Sequence, residues 1–216
     1  MSESRPSIAD VRRDYTGQAL RESDLADDPV EQFQRWLEDA RQVVEDPTAM
    51  TLATAGADGM PSARVLLLKA FSHAGFVFYT SYVSDKAAEL ADNPRATMLF
   101  WWPPLFRSVR VAGPVVRGSR AEAEAYFATR PRESQIGAWA SRQSRAVASR
   151  EVLARRLVAA EQRFEGRDVP TPPDWGGYRL LPRRFEYWQG QPSRFHDRLL
   201  YTRGRDGAWM LQRLCP

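Results

Sequence analysis

In the segment Arg194-Phe-His-Asp-Arg198, three cationic or potentially cationic side chains recur at every second residue. On a strand, Arg194, His196 and Arg198 would line one face. Such a row repels itself unless an anion or a carboxylate compensates it. His196 can stay neutral at pH 7 and serve as a hydrogen-bond partner. Just upstream, Glu186-Tyr-Trp-Gln-Gly190 offers Trp188 as a flat wall. The plain alternative is an exposed polar strand face.

Three further groups have residue types suited to anions. Only two of the 31 basic residues are lysines, Lys69 and Lys86, and lysine differs from arginine in shape and hydration. Lys69 ends Arg64-Val-Leu-Leu-Leu-Lys69; an odd spacing puts Arg64 and Lys69 on opposite faces of a regular strand, serving two neighbouring sites unless a bulge brings them together. Lys86 follows Phe78-Tyr79-Thr80 and Ser84-Asp85, where a strand runs into a helix N-terminus whose free N–H groups favour a phosphate. Asp85 would oppose one if it pointed inward. Tyr126 and Arg130 are four apart on an expected helix, and with Ser134 they supply a hydroxyl, a guanidinium and a second hydroxyl, a reasonable phosphate grip. Gln143-Ser144 adds an amide and a hydroxyl. Ordinary caps, helix ends and strand-end charges that snorkel to water would also account for each group taken alone.

The elements that must position these groups read as mainly β with peripheral helices. Residues 1–28 are polar and expected to be mobile; residues 29–216 are expected to form one domain. The spacing of Val30, Phe33, Trp36, Leu37 and Ala40 predicts a helix over 30–44. Strands are expected at 49–56, 63–69 and 76–80, with Asp58-Gly59 and residues 72–75 as turns. The run 63–69 is almost continuously apolar, which predicts cover on both faces. A short helix capped by Ser84 ends at Asn93-Pro94, and strands follow at 96–102 and 106–116. Ser119 and Glu122 have capping-box spacing and start a helix running toward Arg130. Residues 149–164 form a longer helix. Strands at 178–181, 185–189, 195–202 and 209–214 close the chain, the last pair around Asp206-Gly207. Seven or eight short strands joined by turns favour a small barrel over a doubly wound sheet.

Composition narrows the function. The chain has 216 residues, 43% of them hydrophobic, and a formal charge of +4 with acids and bases interspersed, a poor footprint for nucleic acid. There is no glycine-rich dinucleotide fingerprint, Walker loop, His-Glu-x-x-His or Gly-x-Ser-x-Gly. The single Cys215 allows no intrachain disulfide or thiolate metal site, and no metal is expected. Without a signal peptide pattern or an 18-residue apolar run, a cytoplasmic protein with no membrane partner is expected.

Arg64 to Lys69, Arg130 to Ser144, Trp175-Gly-Gly-Tyr178 and Trp188-Gln-Gly190 leading into Arg194-Phe-His-Asp-Arg198 together resemble the pyridoxine/pyridoxamine 5'-phosphate oxidase family. The resemblance implies an FMN-binding split β-barrel and a homodimer with two interfacial active sites. It implies flavin contacts at Arg64, Val65, Leu66, Lys69, Tyr79, Thr80, Asp85, Lys86, Ser108, Gln143, Ser144, Trp188 and Arg198, with Arg64 and Lys86 on the flavin phosphate and Gln143 and Ser144 supplied by the partner subunit. It implies that Lys69, Tyr126, Arg130 and Ser134 grip the substrate phosphate, while Arg194 and His196 flank the pyridine ring and act in catalysis. The implied reaction takes two electrons from C4' of pyridoxamine or pyridoxine 5'-phosphate, gives pyridoxal 5'-phosphate, and reduces O2 to H2O2. Two positions depart from the family: a basic residue is usual at Asp85 and a glutamine at Ser108. A split-barrel flavin oxidase for another small metabolite, or a non-catalytic flavin or phosphate-ligand binder, are the alternatives.

Overall fold

The computed structural model describes residues 7–10 and 14–216; the rest of the segment expected to be mobile, residues 1–6 and 11–13, lies outside the described residues. Among the described residues, ten strands and five α-helices follow in the order α1 (Pro29–Arg41), β1 (Ala49–Ala55), β2 (Pro61–Leu67), β3 (Ala70–Ser72), β4 (Gly75–Ser81), α2 (Asp85–Asp92), β5 (Arg95–Trp102), β6 (Arg107–Arg117), α3 (Arg120–Ala128), α4 (Arg132–Ala140), α5 (Arg150–Arg163), β7 (Trp175–Leu180), β8 (Arg184–Gln189), β9 (Asp197–Arg203) and β10 (Trp209–Leu214). The chain divides into two compact units built from separated segments. The first comprises Met1–Pro47, Phe100–Arg110 and Arg184–Pro216, and the second Thr48–Leu99 and Val111–Arg183.

In the first unit, β8, β9 and β10 form an antiparallel meander with Trp188 opposite Arg198 and Leu199 opposite Arg213. α1 starts where Asp28 accepts hydrogen bonds from Val30 and Glu31 N–H, with Pro29 at its first position. Its apolar face follows the 3.6 spacing: Phe33, Trp36, Leu37 and Ala40 are buried. Trp36 meets Tyr187 edge-on at 5.1 Å between centroids, and the Tyr187 hydroxyl donates to the Pro29 carbonyl at 2.5 Å. Each large side chain buried this way stabilises by about 1.5–3 kcal/mol. Residues 14–28, part of the segment expected to be mobile, make specific contacts. Leu20 and Ala26 are buried, and Leu20 N–H donates to Asp197 at 2.9 Å.

In the second unit, β1 pairs with β2 and β5, while β4 pairs with β3 and β7, and β7 with β6, all antiparallel. Trp175-Gly-Gly-Tyr178 opens β7. A side chain at Gly176 would collide with the Tyr82 ring, and one at Gly177 would sit 3.0 Å from the Tyr79 ring, so both glycines let tyrosines lie flat on this strand. α3, α4 and α5 cover a cluster of Ala123, Phe127, Ile136, Ala160, Phe164, Val169 and Trp175.

Several expectations are corrected. Within one copy of the chain β2 is not covered on both faces: its burial alternates, and Val65 is 69% exposed. Among the described residues it is the last strand of its ladder and pairs with β1 alone, and its face with Val65 and Leu67 stays exposed. Ser84 precedes α2 but makes no side-chain cap; its hydroxyl donates back to Ser81 O at 2.7 Å. The capping box of Ser119 and Glu122 forms. That helix ends at Ala128, so Arg130 lies beyond it, and α4 is a helix the sequence reading left unassigned.

Candidate functional site

Both cavities that gather the expected residues lie within the second unit. The larger, about 560 Å³, is lined by Lys69, Tyr79, Thr80, Tyr126, Arg130, Ser134, Gln143 and Trp175 among others. The smaller, about 290 Å³, is lined by Ser62, Arg64, Asp85, Lys86, Gln143 and Ser144. Val65, Leu66 and Gln143 line both, so the two cavities share a wall. Lys69 lines the larger cavity and Arg64 the smaller. No bulge is needed, because β2 ends at Leu67 and Lys69 follows it, its N–H bonded to Val77 O.

In the larger cavity three aromatic rings stack. Tyr79 lies 4.1 Å from Tyr126 and 5.3 Å from Trp175, at interplanar angles of 16° and 7°. The Arg130 guanidinium sits 5.0 Å from the Trp175 centroid and 5.3 Å from that of Phe127. Its Nη1 is buried and has no hydrogen-bond partner among the described residues. Burial pushes the Arg130 pKa down and the Tyr79 pKa up.

The smaller cavity has a different character. Lys86 is only 5% exposed, and burial, then the neighbouring Arg64 charge, lowers its pKa. Its Nζ donates to Thr80 Oγ1 at 3.2 Å, and Thr80 Oγ1 donates to Gln143 Oε1 at 2.9 Å. An ammonium has three donors, so capacity remains for an anion. Arg64 is held by Glu89 at 3.0 Å and also donates to Thr54 and Ser62. Burial alone would raise the Glu89 pKa, but hydrogen bonds from Thr54, Arg64 and Ser62 outweigh it and the net direction is down. The first turn of α2, without a side-chain cap, faces the same space through Asp85 and Lys86. Buried lysine, arginine, hydroxyls and an uncapped helix start suit a phosphate.

The resemblance assigned Gln143 and Ser144 to the partner subunit. Here they line the same cavity as Arg64 and Lys86 of their own chain, because the 142–145 turn, closed by Arg145 N–H to Arg142 O at 3.1 Å, brings Gln143 against Thr80 and Ser81.

The first unit carries Ser108, Trp188, Arg194, His196 and Arg198. The expected strand alternation from Arg194 to Arg198 is absent: β9 begins at Asp197, and Pro192–Arg194 is a 3-10 turn with Ser193 and Arg194 at φ 55° and 60°. Left-handed φ at consecutive non-glycine residues is strained. Arg198 does meet the compensating carboxylate: its Nε donates to Glu186 at 2.9 Å, and Arg110 pairs with the same, largely buried, Glu186. His196 Nδ1 accepts from Gln191 N–H at 3.0 Å, which leaves Nε2 as the protonated nitrogen of the neutral ring. Trp188 lies 4.7 Å from His196 between centroids, and Tyr15 edges onto both rings. Ser108 is half-buried on β6.

Tyr15, Glu89, Trp175 and Arg145 were not singled out as site residues. Glu89 falls three residues after Lys86, a helical spacing that could have flagged it. Trp175 stood inside a quoted motif; Tyr15 and Arg145 carried no local signal.

Antiparallel strands that share two anion-suited cavities, with helices at the periphery, define a split β-barrel. Two family models match: pyridoxamine 5'-phosphate oxidase over residues 37–164, and the pyridoxine 5'-phosphate oxidase C-terminal dimerisation region over residues 175–216. The chain is 55% identical over 214 residues to a pyridoxine/pyridoxamine 5'-phosphate oxidase of Rubrobacter xylanophilus, covering 99% of this chain and 98% of the relative. It is 51% identical over 214 residues to one of Acaryochloris marina, covering 99% and 97%. A crystal structure of PhzG from Burkholderia lata 383, in complex with tetrahydrophenazine-1-carboxylic acid, superposes with a TM-score of 0.86 at 29% identity, covering 93% of this chain and 100% of that one. The chain belongs to the pyridoxine/pyridoxamine 5'-phosphate oxidase family, a family of oxidoreductases. Among the described residues, no helix is long and apolar enough to cross a membrane and no group of His, Cys, Asp and Glu converges as metal ligands.

Proposed function

We propose that this chain is an FMN-dependent oxidase that converts pyridoxamine 5'-phosphate and pyridoxine 5'-phosphate to pyridoxal 5'-phosphate, with O2 as electron acceptor and H2O2 as product. The observation that carries the reading is Arg130 Nη1, buried and without a partner beside Lys69, Tyr126 and Ser134. A buried donor left unmade costs about 1–3 kcal/mol, more when charged, so the site is complete only when an anion fills it. A substrate phosphate would take hydrogen bonds from Arg130, Lys69 and the two hydroxyls.

Arg64, Lys86 and Ser144 would hold the FMN phosphate, and Val65, Leu66, Tyr79, Thr80 and Gln143 would form walls of the flavin site, with Ser108, Trp188 and Arg198 as further contacts. When bound, FMN supplies the two-electron acceptor and the reaction with O2. The protein's part is orientation: a phosphate grip fixes one end of the substrate, while Arg194 and His196 act on the ring end. Arg194 steadies charge without acting as a base, and His196 presents its Nε2–H as a donor. We assign the active protein as a homodimer and its compartment as the cytoplasm.

The test is anaerobic mixing of the FMN-loaded protein with pyridoxamine 5'-phosphate. Rapid loss of the visible flavin absorbance, far slower with unphosphorylated pyridoxamine, is expected. Equal rates with both compounds, or bleaching only by a carboxylate-bearing ring of the kind seen with PhzG, would replace this substrate with another.

A further inference from the structure

We infer that Arg145 is a contact for the flavin phosphate and that Asp85 holds it back, an inference that rests on the smaller cavity being the flavin phosphate site. Asp85 lines that cavity at the first turn of α2, where a carboxylate opposes a phosphate. The chain places a cation directly against it. Arg145 Nη1 lies 3.9 Å from Asp85 Oδ1, with both side chains more than half exposed. That separation is too long for a hydrogen bond, and an exposed pair of this kind contributes little. Arg145 Nη2 donates to Val83 O at 3.1 Å, which keeps the guanidinium beside the start of α2.

The backbone delivers it there at some strain. Ser144 has φ 66°, the left-handed position of a turn that favours glycine or asparagine. With this geometry Ser144 lines the cavity, and the next residue, Arg145, reaches Asp85 of the same lining. A guanidinium released from Asp85 can meet phosphate oxygens with two parallel N–H bonds, a stronger pairing than the long contact it leaves. Arg145 therefore brings positive charge, from a different segment, to the side of the cavity where Asp85 stands.

The two halves of the pair separate this idea from a structural clip. If the contact only braced the α2 turn, removing either partner would act in the same direction. If Arg145 binds phosphate and Asp85 competes for it, the two substitutions act in opposite directions. The full-length chain freed of flavin is titrated with FMN and, separately, with riboflavin, which lacks the phosphate, by quenching of flavin fluorescence. Arg145→Ala is expected to weaken FMN about tenfold, the size of one charge-assisted hydrogen bond; Arg145→Lys recovers part of the loss, and riboflavin is unaffected. Asp85→Asn is expected to tighten FMN about threefold at low salt, fading as salt rises. Shifts of the same sign in Arg145→Ala and Asp85→Asn, or no shift in either, overturn the inference. Lys86→Met separates the two levels. If it weakens FMN while Arg145→Ala does not, only Arg145 loses its role; if Lys86→Met also leaves FMN unchanged in a protein that melts normally, the phosphate site itself is misplaced.

Discussion

On the proposed reading substrate choice turns on Arg130, whose Nη1 is buried and has no hydrogen-bond partner among the described residues. Replacing it with methionine keeps an apolar stem near Trp175 and Phe127 and removes a guanidinium whose Nη1 is buried without a partner among the described residues. The expected result is a KM for pyridoxamine 5'-phosphate raised about 10- to 100-fold, the loss of one or two charge-assisted hydrogen bonds. A much smaller change is expected for the unphosphorylated amine, with no fall in the melting temperature of the ligand-free protein. Steady-state kinetics on the two substrates and a thermal melt check this; a clear drop in melting temperature would make Arg130 a structural residue. That Lys69, Tyr126, Arg130 and Ser134 line one cavity agrees with the residue types picked out in the sequence, but their geometry was not legible there. Tyr126 and Arg130 were read as one helix face, whereas α3 ends two residues before Arg130. The Arg194, His196 and Arg198 row was read as a strand face, but Pro192 and two left-handed residues keep Arg194 off β9. The carboxylates that compensate Arg64 and Arg198, Glu89 and Glu186, could not be paired from spacing alone, since each meets its arginine from a different element.

Elements were more readable where periodicity was strong. α1 and the short strands fall within a few residues of expectation because burial follows period 3.6 or 2, and Gly59 and Gly207 take positive φ in their turns. α4 escaped notice because it follows Pro131 and buries only Ile136. The contacts of the segment before α1 carry little local signal for a related reason: many of those made by residues 20–24 are polar and long-range. Arg213 on β10 donates to Glu22 at 2.8 and 3.0 Å, to Asp197 at 2.6 Å and to Leu20 O at 2.8 Å. The hydrogen bond from Arg213 leads the causes that hold the Glu22 pKa at about 2, below its ordinary 4.5. A depressed carboxylate stabilises the fold fully above its unfolded value, and that contribution fades as pH falls from about 4.5 toward 2. Glu22→Gln should therefore melt slightly lower than the parent at neutral pH, by about one or two degrees for a solvent-exposed pair. The gap should close as the pH approaches 2. Paired melting curves across that range decide it; a gap that persists unchanged in acid would mean the glutamate charge is not what holds the segment.

For the whole molecule, the question is how many copies of the chain make one active site. The residues assigned to the substrate divide between the two units: Lys69, Tyr126, Arg130 and Ser134 in one, Arg194 and His196 in the other. The second unit also leaves an apolar sheet face open. Val65 and Leu99 are both register neighbours of Thr51, and Val65, Leu67 and Leu99 are 69%, 37% and 39% exposed. Exposed aliphatic side chains grouped on one sheet face suit burial against a second copy, and the match to a C-terminal dimerisation region over residues 175–216 fits the same reading. In a twofold dimer, an active site that takes its phosphate grip from one copy and Arg194 and His196 from the other can be rebuilt from two inactive proteins. Arg130→Ala and Arg194→Ala are each expected to be nearly inactive alone. Unfolded together and refolded, half the dimers are mixed; in each, one site receives both defects and the other neither, so about a quarter of the parent's activity should return. If each site were built within one chain, every site in a mixed dimer would carry a defect and nothing would return. Activity of the co-refolded mixture, measured against each variant refolded alone, separates the two arrangements.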